Sequence, residues 1–297
     1  MSVAARRNLA AEPAGTGGEF AFTNDDFVVI ARTLYDESGI HLPQSKATLV
    51  YSRIAKRLRA LGLENFRDYC TLIGSTAGAG EKALMLSALT TNVTRFFREP
   101  HHFDHLKAKL LPPLIKAARG GKSIRIWSAG CSSGQEPYSI ALTILALAPD
   151  ARSFDIRILA SDINPHVLDT ARGAIYPAEE IDCVPPAARR AWMEEVAGSG
   201  GTQYRLDTAV RGLVSFRELN LMGKWPMRGP FDAIFCRNVV IYFDEQTQSR
   251  IWSRMQPLIA PGGCLYVGHS ERVTDPALAQ LKVEEITTYR NVNGACA

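Results

Sequence analysis

Apolar and polar positions change period along this chain, and the changes mark its organisation. Between residues 23 and 89 the apolar positions recur at helical spacing. Thr23, Asn24 or Asp25 can cap a first helix that carries Phe27, Ile30, Leu34 and Tyr35 on one side and ends at Gly39. A second, over 44–61, gathers Ala47, Val50, Ile54, Leu58 and Leu61 on one face. Phe66, Tyr69 and Leu72 indicate a third helix, residues 74–80 (GSTAGAG) a flexible connection, and 81–89 a fourth helix. A further helix over 106–118 is broken at Pro112 and Pro113. Beyond it the pattern becomes short apolar strands alternating with helices. Strands are predicted at 124–127, 156–161, 213–219, 231–236 and 264–268, the last entered through the turn Pro261, Gly262, Gly263. The intervening helices open at Pro137 and run over 165–172 and 245–259. Such alternation predicts an α/β domain with a doubly wound parallel sheet, and 283–286 with 288–292 add an antiparallel hairpin at its edge. Residues 176–216 are longer than a crossover requires and hold Pro185, Pro186 and a GSGG run. They are read as an inserted subdomain.

Composition changes this picture little. The 297 residues are 46% hydrophobic and 22% charged, as in an ordinary globular protein, and no apolar run is long enough to span a bilayer. The first 20 residues lack apolar periodicity and read as a flexible tail without a secretory signal, so a cytoplasmic protein is expected. Six cysteines lie scattered with no CxxC pair, which fits reduced thiols rather than zinc. A net charge of +4 does not by itself imply nucleic acid. Its placement is more informative, because Lys46, Arg53, Lys56, Arg57 and Arg59 share the second helix's polar face with no acid among them. Two readings fit that face: a docking surface for an acidic partner, or the solvated side of a small helical domain.

The candidate chemistry gathers around the first strand. Residues 128–134 form a turn of small residues between that strand and the helix at Pro137. Gly130 and Gly134 have no Cβ to obstruct a ligand, and the helix amides point into the crevice. Asp162 ends the second strand, where a carboxylate can accept from both hydroxyls of a ribose; it could equally cap the next helix. The stretch TTNVTRFFREPHHF sets Asn92, Thr94, Arg95 and Arg98 beside Phe96 and Phe97, as though the aromatics anchor a segment whose polar members face a ligand. His101 and His102 are adjacent, point apart on a helix and make a poor metal pair, so no metal is expected.

In order and spacing, TNVTRFFRE, WSAGCSSGQEPYS, ASDIN, FDAIFCRNVVIYF and PGGCLYVGHSE resemble the CheR-type chemotaxis protein-glutamate O-methyltransferases over about residues 22–289. The resemblance implies a class I S-adenosylmethionine-dependent (Rossmann-like) domain over 91–297. A small antiparallel β-subdomain is inserted at about 176–216, and an all-helical receptor-docking domain precedes it over 21–90. It implies that Asn92, Thr94, Arg98, Gly130, Glu136, Asp162, Asn220, Leu221, Arg237 and Asn238 bind S-adenosylmethionine and its product S-adenosylhomocysteine, with Asp162 on the ribose and Asn220 and Leu221 at the adenine edge. Arg98 and Tyr242 are the implied catalytic residues. Glu136 suits this ligand, which carries a sulfonium and an ammonium instead of a phosphate. The implied partner is the acidic helical bundle of a chemoreceptor, met by Lys46, Arg53, Lys56, Arg57 and Arg59. A receptor C-terminal peptide on the β-subdomain is left open, and a monomer without membrane insertion is expected.

Two other functions share parts of the pattern. A nucleic-acid methyltransferase is disfavoured because the fourth strand ends in CRN rather than Asn-Pro-Pro-aromatic, and Cys236 is not preceded by proline. A non-catalytic S-adenosylmethionine sensor would keep the pocket without needing Arg98 and Tyr242.

Overall fold

The computed structural model describes residues 18–90, 92–198, 201–274 and 279–293. The expected tail lies almost wholly outside them, as does the centre of the GSGG run. The chain divides into two compact units, Met1–Thr90 and Thr91–Ala297.

The first unit is helical. Helix α1 (Asn24–Ser38) begins at a capping box in which the Thr23 hydroxyl accepts from Asp26 N and the Asp26 carboxylate accepts from Thr23 N; it ends at left-handed Gly39. A single 3-10 turn (Gln44–Lys46) leads into α2 (Ala47–Leu61), followed by α3 (Phe66–Gly74). Their apolar faces meet in one core containing Phe27, Ile30, Leu34, Val50, Ile54, Leu58, Phe66 and Tyr69. Tyr35 and Leu61, expected on those faces, are exposed. The glycine-rich stretch expected to be flexible is instead an ordered 3-10 turn (Thr76–Gly78) that continues into α4 (Ala79–Leu89). Gly78 is buried there, and its backbone packs so closely on Leu72 O that no Cβ would fit.

The basic face of α2 requires a correction. Arg53 Nη1 donates to the carbonyls of Ala88, Leu89 and Thr90 at 3.1, 2.9 and 3.0 Å, capping the end of α4. Arg57 forms a two-pronged pair with Glu81 at 2.9 and 2.8 Å, and Glu81 is buried and also accepts from Tyr69 Oη. Arg59 pairs with Glu19 on the surface. Lys46 and Lys56 are exposed and pair with no acid among the described residues. Three of the five supposed docking cations therefore hold the helical unit together or are neutralised on its surface.

In the second unit, α5 (His101–His105), a π turn (Leu106–Leu110) and α6 (Leu111–Arg119) follow one another directly. Pro112 and Pro113 do not break this run, because they occupy the first turn of α6, where a missing N–H costs least. Then come β1 (Ile124–Ala129), α7 (Gln135–Leu147), β2 (Ile156–Asp162) and α8 (Pro165–Gly173). The insertion is built from β3 (Ile175–Pro177), α9 (Pro186–Trp192), β4 (Met193–Gly198) and β5 (Gly201–Leu206), an antiparallel sheet in the order β3-β5-β4.

The chain returns through α10 (Thr208–Arg211), β6 (Val214–Glu218), β7 (Phe231–Cys236), α11 (Glu245–Met255), β8 (Ile259–Val267) and the hairpin β9 (Leu281–Glu285) with β10 (Thr288–Asn291). The seven-stranded sheet runs β6-β2-β1-β7-β8-β10-β9; its first five strands are parallel, and the hairpin is antiparallel. Residues 261–263, expected as a turn before the fifth strand, lie within β8, where the register with β7 shifts. The strand order reverses direction at β1, so the crevice beyond β1 and β7 is the natural ligand position.

Candidate active site

The turn after β1 is shaped by two residues without side chains. Gly130 has φ 75°, its N–H donates to Ser161 O at 2.7 Å, and a Cβ there would overlap the Val239 side chain. Gly134 has φ 98°, and a Cβ would press on Ala171 and the Tyr176 hydroxyl. Between them, Ser132 N donates to Asp162 Oδ2 at 2.8 Å and Ser132 Oγ donates to Asn92 O at 2.9 Å. The turn therefore joins the end of β2 to the segment before α5. Asp162 Oδ1 also accepts from Asn164 N at 3.0 Å, so this carboxylate is held by the backbone on both sides at the mouth of the crevice. Burial raises its pKa, against those N–H groups.

Beneath the turn lies a buried ionic cluster. Glu136, on the first turn of α7, accepts from Ser128 Oγ at 2.7 Å and lies 3.2 Å from Arg237 Nη1. Arg237 follows β7, has a side chain 2% exposed, and also lies 3.2 Å from Glu99 Oε2. Its Nη2 donates to Arg98 O, and the guanidinium sits 5.6 Å over the Phe103 ring. One cation thus meets two carboxylates, and the cluster retains one negative charge when all three are ionised. Burial pushes Glu99 up, but Arg237 and contacts from His269 outweigh it and hold Glu99 at about 2. Glu136 is raised by burial, with Arg237 and Ser128 opposing.

The structure brings most of the expected residues to this crevice. Phe96 is fully buried against Tyr176, and Phe97 packs on Phe103, so the aromatics anchor the segment that carries Asn92, Thr94 and Arg98. Arg98 Nη1 reaches back to Val93 O at 3.0 Å. Asn220 follows β6, with its Oδ1 on Met222 N, and Leu221 is buried beside it. A cleft of about 710 Å³ opens there, walled by Leu219, Asn220, Gly223, Trp225 and Pro226. Asn238 has φ 59° and lies half-buried; Tyr242 ends a 3-10 turn (Val240–Tyr242) and is also half-buried. Arg237 is buried at this crevice and engages Glu136 and Glu99.

Three residues at the site were not identified from sequence. Glu99 binds Arg237 and accepts from His269 N and from Asn238 Nδ2, joining three loops. Glu271 is 2% exposed and accepts backbone N–H groups from two loops. Trp225 borders the cleft with Arg254 stacked 3.9 Å from its ring centre. For the two acids, the only signal in the sequence is membership of the TNVTRFFRE and PGGCLYVGHSE segments.

A family model described as "CheR methyltransferase, SAM binding domain" matches residues 92–290, and "CheR methyltransferase, all-alpha domain" matches residues 25–90. The chain belongs to the CheR methyltransferase family. It is 52% identical over 257 residues to a Rhizobium etli protein named "Probable chemotaxis protein methyltransferase", covering 86% of this chain and 96% of that one. It is 44% identical to "Chemotaxis protein methyltransferase 2" of Pseudomonas aeruginosa (85% and 88% covered) and 40% identical to "Chemotaxis protein methyltransferase" of Escherichia coli (84% and 85%). This CheR-family chain is an S-adenosylmethionine-dependent methyltransferase with an all-helical N-terminal domain. No helix among the described residues is long and apolar enough to cross a membrane.

The residues present fit that cofactor. A glycine turn leaves room at the backbone, the Glu99–Arg237–Glu136 cluster and Asp162 supply surplus negative charge for a cationic ligand, and Arg237 Nε is a buried donor with no acceptor among the described residues. The amino-acid carboxylate of the cofactor is a suitable acceptor for that N–H.

Proposed function

We propose that this enzyme methylates glutamate side chains of chemoreceptors, forming glutamate methyl esters. The observation that carries the reading is the acidic, singly compensated corner formed by Glu136, Arg237 and Glu99 beneath the glycine turn, in a chain whose relatives are named chemotaxis protein methyltransferases. When bound, S-adenosylmethionine supplies a methyl group on a sulfonium. Asp162 holds the ribose hydroxyls with its remaining lone pairs, Asn220 and Leu221 meet the adenine edge, and Asn92 and Thr94 close the site from the segment before α5. Glu136 faces the cationic end, and Arg237 fixes the Glu136 carboxylate.

The acceptor carboxylate is already ionised at neutral pH, so no general base is needed. Transfer brings opposite charges together and disperses them, which makes alignment more useful than tight binding of the carboxylate. Arg98 and Tyr242 supply that alignment. The test is incubation with methyl-labelled cofactor and receptor-bearing membranes, followed by mild base. Label released as methanol is the expected result; base-stable label, or label in nucleic acid, contradicts the reading.

Docking to the acidic receptor bundle falls to Lys46 and Lys56 rather than to the whole basic face. Reversing both to Glu is expected to slow receptor methylation several-fold at low salt, less at high salt, with unfolding unchanged. Arg57→Glu is expected to destabilise the helical unit by about 3 kcal/mol, because it leaves Glu81 buried and unpaired. Rates combined with unfolding curves separate these two effects. At the small sheet, β4 lies on an edge with Glu194 and Glu195 exposed, so a receptor peptide adding a strand there is expected to carry no acid opposite them.

A further inference from the structure

We infer that Glu271 is a positioning residue for methyl transfer: its buried carboxylate clamps the 238–241 loop onto the end of β8 and so sets where Tyr242 stands. The inference rests on the reading that Tyr242 borders the reacting atoms. Glu271 Oε1 accepts from Val239 N and Val240 N at 2.8 Å each and from Ile241 N at 3.3 Å. Its Oε2 accepts from Asn238 N at 2.8 Å and Gly268 N at 2.6 Å. One side chain therefore satisfies five backbone donors, four of them consecutive, from two loops, Asn238 to Ile241 and Gly268. Together they compensate a carboxylate that is 2% exposed and has no cation among these partners.

The surroundings of the clamped loop are equally close-fitting. Asn238 sits at φ 59°, a left-handed backbone that asparagine adopts more readily than other residues with a side chain, and its N–H is held there by Glu271. The loop is also pressed from two sides. Val239 lies against Gly130 of the cofactor turn, and Asn238 lies against Gly268, where a Cβ would come within 2.8 Å of Asn238 N. Both approaches need glycine, and Glu271 bonds to both Asn238 N and Gly268 N at the second of them. Tyr242 closes the same short turn, with its N–H on Val239 O at 3.3 Å, so a shift of the clamped amides is transmitted directly to it.

Glutamine is the informative replacement. It has nearly the same shape, but exchanges one accepting oxygen for an NH2 that must face backbone N–H groups. In full-length Glu271→Gln, sites are counted by calorimetric titration with S-adenosylhomocysteine, and methyl transfer to receptor membranes is expressed per site. The expected result is a kcat about a hundredfold lower, the effect of a displacement of about 1 Å at a reacting group, with KM for receptor and affinity for S-adenosylhomocysteine within about threefold of wild type. Amide exchange at Val239 and Val240 is expected to quicken at least tenfold while α7 keeps its protection.

A wild-type kcat per site, or unchanged exchange at these amides, overturns the proposal. So does a loss of kcat that only parallels a loss of S-adenosylhomocysteine affinity, since that marks a purely structural residue. Should Glu271→Gln fail to fold, Glu271→Asp keeps both oxygens on a stem one methylene shorter; about a tenfold loss of kcat supports the clamp and a wild-type kcat overturns it. If the wild-type protein itself esterifies no receptor, the functional reading has failed, and the exchange measurement still decides whether Glu271 holds the loop.

Discussion

Replacing Arg98 by alanine is expected to lower methyl transfer to receptor membranes by about a hundredfold or more, the scale associated with losing alignment of a reacting group. The fold is expected to survive. Among the described residues, the half-buried Arg98 side chain makes one hydrogen bond, to Val93 O, a contact whose net contribution is about 1 kcal/mol. The stronger tie at this position is through its carbonyl, which accepts from Arg237 and is retained in the alanine variant. Arg98→Lys is expected to recover little, because an ammonium lacks the planar fork that orients a carboxylate. A tritiated-methyl assay with parallel thermal unfolding measures both properties. A wild-type rate in the folded alanine variant would falsify the assignment of Arg98 to the reaction.

The second large effect is expected on stability as well as binding. Arg237→Met leaves Glu99 and Glu136 buried without their shared cation, which costs about 3–5 kcal/mol. It also removes the group that fixes the Glu136 carboxylate, so affinity for S-adenosylhomocysteine is expected to fall steeply in calorimetry. The deficit has a characteristic pH dependence. Burial raises Glu99, but Arg237 and His269 hold it at about 2, below its ordinary 4.5. The stability it contributes is therefore fully present above about pH 4.5 and is lost as pH falls toward 2. Without Arg237 that depression is largely gone, so wild type and variant are expected to differ most near neutrality and to converge in acid. Glu136, Asp162 and Glu271 act with the opposite sign. Burial raises each of them, so the stability they withhold at neutral pH returns on protonation. Denaturant unfolding of both proteins from pH 7 to pH 2.5 provides the measurement, and a deficit that persists undiminished at pH 2.5 argues against the ionic account.

Local signals carried much of the architecture. Gly39 ends α1 because only a residue without Cβ adopts its left-handed backbone at little cost. The apolar runs around Ile126, Ile158 and Ile234 read as buried strands because parallel strands covered on both faces need no polar alternation. The turn 128–134 and the acid ending β2 were legible for a similar reason: chemistry and backbone geometry fall within a few residues of one another. The hairpin β9–β10 was equally local.

What could not be read lies in pairings between distant segments. Periodicity showed that Arg53 and Arg57 share a polar face of α2, but not that they meet the end of α4 and Glu81, 24 residues beyond Arg57. A helical pattern specifies which side turns away from its own apolar stripe, not what the rest of the chain places there. Glu99 and Glu271 show the same limit more sharply. Their partners are the Arg237 guanidinium, the His269 and Gly268 amides and the backbone of 238–241, and a backbone N–H has no identity in the sequence. The sequence by itself therefore determined the strands at the centre of the main sheet, the glycine turn and Asp162 at the end of β2. Only the tertiary structure decided which charges are consumed in holding it together, because ion pairing and burial depend on distances that chain order does not contain.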